Sequence, residues 1–118
     1  MGDSKEMTLE AIVEQLGLKC KCCWEKLGAE VDGGYAGDLL SDVMANSSQG
    51  NVWVTRQVHQ NIVAVASLKD HAGIVIVQGA SPDKDTLEKA QNEGIPIIVS
   101  DLSEFEAVGK IYHLMHHA

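Results

Sequence analysis

Three short apolar runs recur along the second half of the chain: Val52-Trp53-Val54, Ile74-Val75-Ile76-Val77 and Ile95-Pro96-Ile97-Ile98-Val99. They begin at 52, 74 and 95, about 22 residues apart, which is just enough for a strand, a crossover helix and the return to a parallel strand. Strands so uniformly apolar are buried on both faces, as parallel strands are. The first intervening helix, around Gln60 to Asp70, is apolar on most sides and is expected to be central, with Gly73 ending it. The second is expected to start at Ser81-Pro82, with Pro82 at the first helical position, and to end at Gly94. Only Leu87 and Ala90 look inward there, so that helix is peripheral. The last helix opens on Ser103-Glu104-Phe105-Glu106, the form of a capping box, and presents Phe105, Val108, Tyr112 and Met115.

The first half is less regular. Leu9, Ile12, Val13 and Leu16 recur at helical spacing between a Thr8 cap and a Gly17 stop. Leu18 to Cys22 alternates as a half-buried strand does, Trp24 to Gly28 reads as a connection, and Glu30 to Asp32 reads as a second short strand. That strand runs into Gly33-Gly34, a pair that permits positive φ and close backbone approach in a tight strand-to-helix connection. Asp38 then reads as the N-cap of a helix carrying Leu39, Leu40, Val43 and Met44 on one face. The expected fold is α/β, a single domain over residues 8–115 with a mainly parallel sheet flanked by helices, between a flexible segment 1–7 and a tail 116–118.

A chain of 118 residues fits one such domain, which should bury roughly 65% of the surface of its unfolded chain. Hydrophobic residues make up 45% and charged residues 22%, which argues against wholesale disorder. The net charge of -8 repels a nucleic-acid backbone and an anionic membrane surface, so neither is an expected partner. No apolar run approaches the roughly 20 residues that span a bilayer, and Met1 to Glu6 lacks the apolar centre of a signal peptide; a cytoplasmic location is expected.

Ligands of open parallel sheets bind outside the carboxyl ends of the strands. Those ends carry Thr55, Arg56, Gln57, His59 and Asn61 after the first run, Gln78, Gly79 and Ser81 after the second, and Ser100 and Asp101 after the third. With Gly33, Gly34 and Asp38 they form a rim rich in hydrogen-bonding groups and short of nucleophile-base pairs. The phosphate-binding glycine fingerprints, the Gly-x-Ser-x-Gly elbow and the His-Glu-x-x-His helix are all missing, so binding is favoured over catalysis and no cofactor is expected. Cys20 and Cys22 would share one strand face and Cys23 the other, so at most two thiolates could meet one ion, where a closed site needs about four ligands. Reduced core residues are the plainer reading, and a metal or redox sensor the sharper one. His113 and His117, four apart near the chain end, could hold a divalent ion weakly.

The glycine stretch also carries a family resemblance. Glu30-Val31-Asp32-Gly33-Gly34 aligns with the Asp-Arg-Thr-Gly-Gly signature of the DRTGG domain, sharing its two glycines. Tyr35-Ala36-Gly37-Asp38-Leu39-Leu40-Ser41 and His59 to Ala66 are similar to that family as well, and the likeness runs from about Leu9 to the last helix. DRTGG modules occur fused to phosphotransacetylases, beside CBS domains in regulated pyrophosphatases, and alone in anaerobes. The resemblance therefore implies a non-catalytic regulatory or protein-interaction module of a metabolic or redox system in a prokaryote, with a metabolic or redox enzyme or a signalling protein as partner. The family's habit of pairing through its signature implies a homodimer with Gly33 to Leu40 at or beside the two-fold interface. Apolar residues left over around the glycines (Val31, Tyr35, Leu39, Leu40, Trp53 and Val54) point the same way. A sensor that binds an adenine nucleotide at the glycine loop and the strand ends is the competing expectation. The candidate ligand or interface residues are Gly33, Gly34, Tyr35, Asp38, Leu39, Ser41, Thr55, Gln57, His59, Asn61, Gln78, Gly79 and Ser100.

Overall fold

Alternation along the apolar runs sends their side chains to two cores. Trp53, Ile74, Ile76 and Ile97 face one side of a sheet, and Val52, Val54, Val75, Val77 and Ile98 face the other. In the computed structural model, which describes residues 7–116, the elements follow in the order α1 (Leu9–Leu16), β1 (Lys19–Cys20), a 3-10 turn (Trp24–Lys26), β2 (Gly34–Ala36), α2 (Leu40–Asn46), β3 (Val52–Thr55), α3 (Asn61–Lys69), β4 (Gly73–Ile76), α4 (Lys84–Glu93), β5 (Ile97–Val99) and α5 (Glu104–His116). The strands lie in the order β1-β5-β4-β3-β2; β2 to β5 are mutually parallel, and β1 is antiparallel to β5 with Lys19 opposite Val99. This is a single α/β domain with a mainly parallel five-stranded sheet, as the repeated runs predicted.

Helices α2, α3 and α4 cover the first face through Val43, Ile62, Val63, Val65, Ala66 and Ala90. Helices α1 and α5 cover the second through Leu9, Ile12, Ala107 and Ile111. Each large side chain fully withdrawn from water contributes about 1.5–3 kcal/mol, so both faces hold the sheet. Helix α1 sits close to it: a Cβ on Gly73 would lie 2.8 Å from Leu9 Cδ2, and only glycine admits that approach. Met7 packs against the same core, and its carbonyl accepts the Val31 N–H at 2.7 Å.

Several local expectations change. Gly73 opens β4, and α3 ends instead at Asp70, which takes the left-handed conformation at φ 56. Pro82 precedes the N-cap of α4, which is Asp83. Glu30 makes one isolated antiparallel bridge to Thr8, and the second strand starts at Gly34, so the glycine pair begins a strand where a strand-to-helix loop was expected. Leu39, not Asp38, precedes α2, and of the predicted apolar face Val43 is buried and Leu40 partly so, while Leu39 is 68% exposed. The capping box of α5 forms, the Glu106 N–H donating to Ser103 Oγ at 3.1 Å and the Ser103 N–H to Glu106 Oε1 at 3.4 Å. Its buried stripe, however, is Ala107 and Ile111, flanked by Val108, Leu114 and Met115; Phe105 is 89% exposed and Tyr112 64%. The buried stripe lies one position from the expected one, and a helix turn of about 100° per residue carries Phe105 and Tyr112 to the outside. The pairing expected of His113 with His117 falls at His117 outside the described residues.

Candidate functional site

Because β2, β3, β4 and β5 are neighbours in sequence order, their connecting helices α2, α3 and α4 all fall on one face. The chain leaving β5 crosses to the other face as α5. The connections from β4 and β5 thus diverge, and a crevice opens between the carboxyl ends of those two strands, the place where open α/β sheets bind ligands. The groove there has a volume of about 430 Å³ and is lined by Lys19, Lys21, Gly79, Ser81, Ser100 and Asp101 among others. Two bonds stitch the loops over its floor: the Gln78 N–H donates to Leu102 O at 2.8 Å and the Gly79 N–H to Ser100 O at 2.9 Å. Gln78 and Gly79 both take positive φ, 63 and 69, which turns the β4–α4 loop sharply outward. The Asp101 carboxylate lies against Gly79, 3.4 Å from where a Cβ would project. Ser100 is buried, and its Oγ accepts the Leu102 N–H at 3.0 Å.

The neighbouring mouth, above β2 and β3, is built differently. The Asp38 carboxylate accepts the Thr55 hydroxyl at 2.8 Å, the Arg56 backbone N–H at 2.7 Å and Arg56 Nε–H at 3.0 Å. Gln57 Nε2 donates to the Asp38 backbone carbonyl at 2.9 Å, and Glu104 Oε1 lies 3.7 Å from Arg56 Nε. Burial alone would raise the Asp38 carboxyl, but the Arg56 backbone N–H, the Thr55 hydroxyl and the Arg56 guanidinium outweigh it and hold the group below its ordinary value. Glu104 is raised, chiefly by burial and also by the Asp38 charge, against the pull of Arg56. Asp38 therefore ties β2 to β3 where the sequence had suggested a helix cap. The one guanidinium of this mouth lies between two carboxylates, which leaves little positive potential for an anion.

Thr55, Gln57, Gln78, Gly79 and Ser100 are brought together along the carboxyl end with Asp38. Gly33 and Gly34 lie at the amino end of β2, across the sheet from that rim. Gly33 has φ +91, and a Cβ there would lie 3.1 Å from Asn51 Nδ2, so glycine is required by the local backbone and by its buried neighbour. Tyr35 donates its hydroxyl to Asp42 Oδ2, and that bond first, then burial, pushes the phenol's pKa above its ordinary value. Ser41 and Asn61 are exposed on α2 and α3. His59 Nδ1 lies 2.8 Å from Asp83 Oδ2, with both side chains at least half exposed; no hydroxyl or thiol joins the pair among the described residues. Such an exposed pair adds little stability and lacks the nucleophile of a hydrolytic triad.

The cysteines leave the expected geometry because β1 ends at Cys20 and Cys23 takes a left-handed φ of 59. Cys20 packs toward the α1/α5 face, while Cys22 and Cys23 turn into the other core. Their thiols donate to backbone carbonyls: Cys20 Sγ to Cys22 O at 3.1 Å, Cys22 Sγ to Ile95 O at 3.6 Å and Cys23 Sγ to Ala90 O at 3.4 Å. Burial raises all three, Cys23 to about 12, so at neutral pH they stay protonated and are poor nucleophiles and metal ligands. Among the described residues no three His, Cys, Asp or Glu side chains gather in a metal-binding arrangement.

Sequence reasoning passed over Lys19, Lys21 and Glu104 as site residues. The alternation of Leu18 to Cys22 had already placed both lysines on one strand face. Nothing local showed that β1 would dock beside β5, at the far end of the chain.

Comparison with protein-family models and with curated proteins finds no match. Solved structures do share the architecture. One is the CBS and DRTGG domains of the regulatory region of Clostridium perfringens pyrophosphatase, complexed with activator, diadenosine tetraphosphate, which superposes with a TM-score of 0.70 at 17% identity. The fold is shared. The match covers 86% of this chain and 44% of that one, so the present chain spans less than half the length of that regulatory region. At this identity the likeness is one of fold, and it agrees with the DRTGG-like architecture expected from the glycine stretch. No helix among the described residues is long and apolar enough to cross a membrane.

Proposed function

We propose that this chain is a regulatory module without catalytic chemistry of its own, acting as a homodimer within a prokaryotic metabolic or redox system. The observation that carries the proposal is the edge of β2, which pairs with no further strand among the described residues. That strand ends the sheet, and a groove of about 150 Å³ runs beside it, lined by Gly33, Gly34, Tyr35, Ala36, Tyr112 and Met115. An open strand edge beside apolar surface is a ready site for pairing, and Leu39 stands exposed at its end. A second copy meeting this edge about a two-fold axis would bury both. The regulatory setting of the similar pyrophosphatase region and the pairing habit of DRTGG domains, which the glycine stretch resembles, support the reading. Light scattering tests the assembly: the wild type should have twice the chain mass, and Leu39→Asp should shift it toward one chain. A monomeric wild type overturns the dimer.

A second reading, small-molecule sensing, is favoured by the crevice at the β4/β5 divergence. An adenine nucleotide is the natural first class to try, since the structural relative was solved with one. A nucleotide present at 100 times its dissociation constant should stabilise the fold by about 2.7 kcal/mol, visible as a thermal shift. A panel with no shift leaves protein interaction as the function.

A further inference from the structure

Two lysines, Lys19 and Lys21, line the groove at the carboxyl ends of β4 and β5. On a chain of net charge -8, Lys19 and Lys21, like the other described lysines, make no ion pair with a described residue; what sets these two apart is that both line one groove. They belong to the β1 edge, where Lys19 lies opposite Val99 and the Lys21 N–H donates to Ile97 O at 2.7 Å. Residues i and i+2 of an extended segment share a face, and both lysines line the groove that Leu87 of α4 closes from the other side. Their Cα atoms are about 6–7 Å apart by strand geometry, a spacing that suits two linked anionic groups.

We infer that this crevice is a binding site for a small phosphorylated anion of diphosphate size, held by Lys19 and Lys21 with the hydroxyls of Ser81 and Ser100. The assignment deepens the sensing reading and rests on it. A crevice and its charge meet at the same place. The divergence of the β4 and β5 connections puts a crevice there, its volume of about 430 Å³ lies within the range of small-ligand sites, and the two unpaired ammonium groups sit on its wall. Lysine is a compact point charge that suits tetrahedral phosphate, whereas planar carboxylates are better met by arginine forks. Among the described residues the lining carries one acidic side chain, Asp101, beside Gly79, against the two lysines. The Asp38–Arg56 mouth supplies an internal contrast, since its cation is already engaged by carboxylates.

Calorimetric titration of the full chain with sodium pyrophosphate, ADP, adenosine and citrate tests this. Pyrophosphate and ADP should bind saturably and citrate more weakly. The double variant Lys19→Gln/Lys21→Gln should lose at least about ten-fold in affinity, as expected for two charged contacts, while Arg56→Gln should bind as the wild type does. Both substitutions are on exposed side chains, and a circular-dichroism melt of each variant confirms the fold. If the lysines only guard the β1 edge against strand pairing, pyrophosphate and ADP will not saturate, and the inference is overturned. It is overturned equally if Arg56→Gln weakens binding and the lysine variant does not. Binding of adenosine without pyrophosphate would sink the phosphate assignment and leave the sensing reading standing. Silence from all four compounds would remove the inference and weigh against the adenine-nucleotide sensor.

Discussion

The two ends of the sheet are both rich in polar residues, and they use them in opposite ways. At the amino end Ser47, Asn51 and His71 are buried. Asn51 Nδ2 donates to Asp32 O at 2.9 Å and its Oδ1 accepts the Ser48 N–H at 2.9 Å, so one amide closes two loops. The Ser47 hydroxyl donates its single proton to Val43 O at 2.6 Å, so His71 Nε2, 2.9 Å away, must be the donor to Ser47 Oγ. The imidazole, 4% exposed and packed edge-on to Trp53 at 5.6 Å, is neutral, and its Nδ1 has no partner among the described residues. At the carboxyl end Thr55 and Ser100 are buried too, but Asp38, Arg56 and Gln57 stay in reach of water, and at the β4/β5 crevice Lys19 and Lys21 are exposed and make no ion pair among the described residues. Buried polar groups that bond to backbone hold the loops in place; exposed ones that bond to nothing are available to a ligand. The difference separates polar residues that serve the fold from those open to function.

The largest effect expected from this division is the response to acid. Burial holds His71 down to about 4 from 6.5, with Lys69 pushing the same way and Asp70 opposing. The folded state therefore binds fewer protons than the unfolded chain between these values. Stability is fully present above pH 6.5 and falls as the pH drops toward 4, by about 3 kcal/mol in all. Urea melts at pH 7 and pH 4 should show the loss, and His71→Leu should remove most of that slope. An equally steep slope in the variant would mean that the amino end does not depend on a neutral imidazole.

Next in size is Asn51→Ala, which strands the Asp32 carbonyl and the Ser48 N–H and should cost about 2 kcal/mol in denaturant midpoint analysis. Asp38→Ala at the carboxyl end removes the partner of Thr55 and Arg56 in a more open setting, and about 1 kcal/mol is expected. The smallest change should come from Lys19→Gln/Lys21→Gln, within about 0.5 kcal/mol of the wild type. If the lysine pair destabilises as much as Asn51→Ala, the crevice is structural and the contrast between the two ends fails.

Much of the architecture was legible in the chain itself. Three apolar runs of strand length at a βαβ interval leave few arrangements other than a parallel sheet, because their side chains need burial on both faces. The caps that depend only on neighbours three residues apart, Thr8 and Ser103–Glu106, were legible for the same reason: their partners are local. Where the deciding partner was remote, local rules failed. Asp38 follows the pattern of a helix cap, but Thr55 and Arg56 compete for its carboxylate from 17 and 18 residues away. Phe105 and Tyr112 looked like core because hydrophobic spacing does not say which of two adjoining stripes meets the sheet.

By itself the sequence determined the fold class, the parallel run β3 to β5 with its helices, and the polar character of the strand carboxyl ends. Only the tertiary structure decided that Gly33 and Gly34 sit at the opposite end of the sheet from those residues, and that Cys22 and Cys23 turn inward as protonated core thiols. It alone brought β1 beside β5, setting Lys19 and Lys21 at the β4/β5 crevice about 80 residues downstream in the chain. The reason is physical: periodicity records which faces must leave water, a local property of the chain, whereas edge pairing and loop divergence are settled by whichever elements best cover the sheet once it forms.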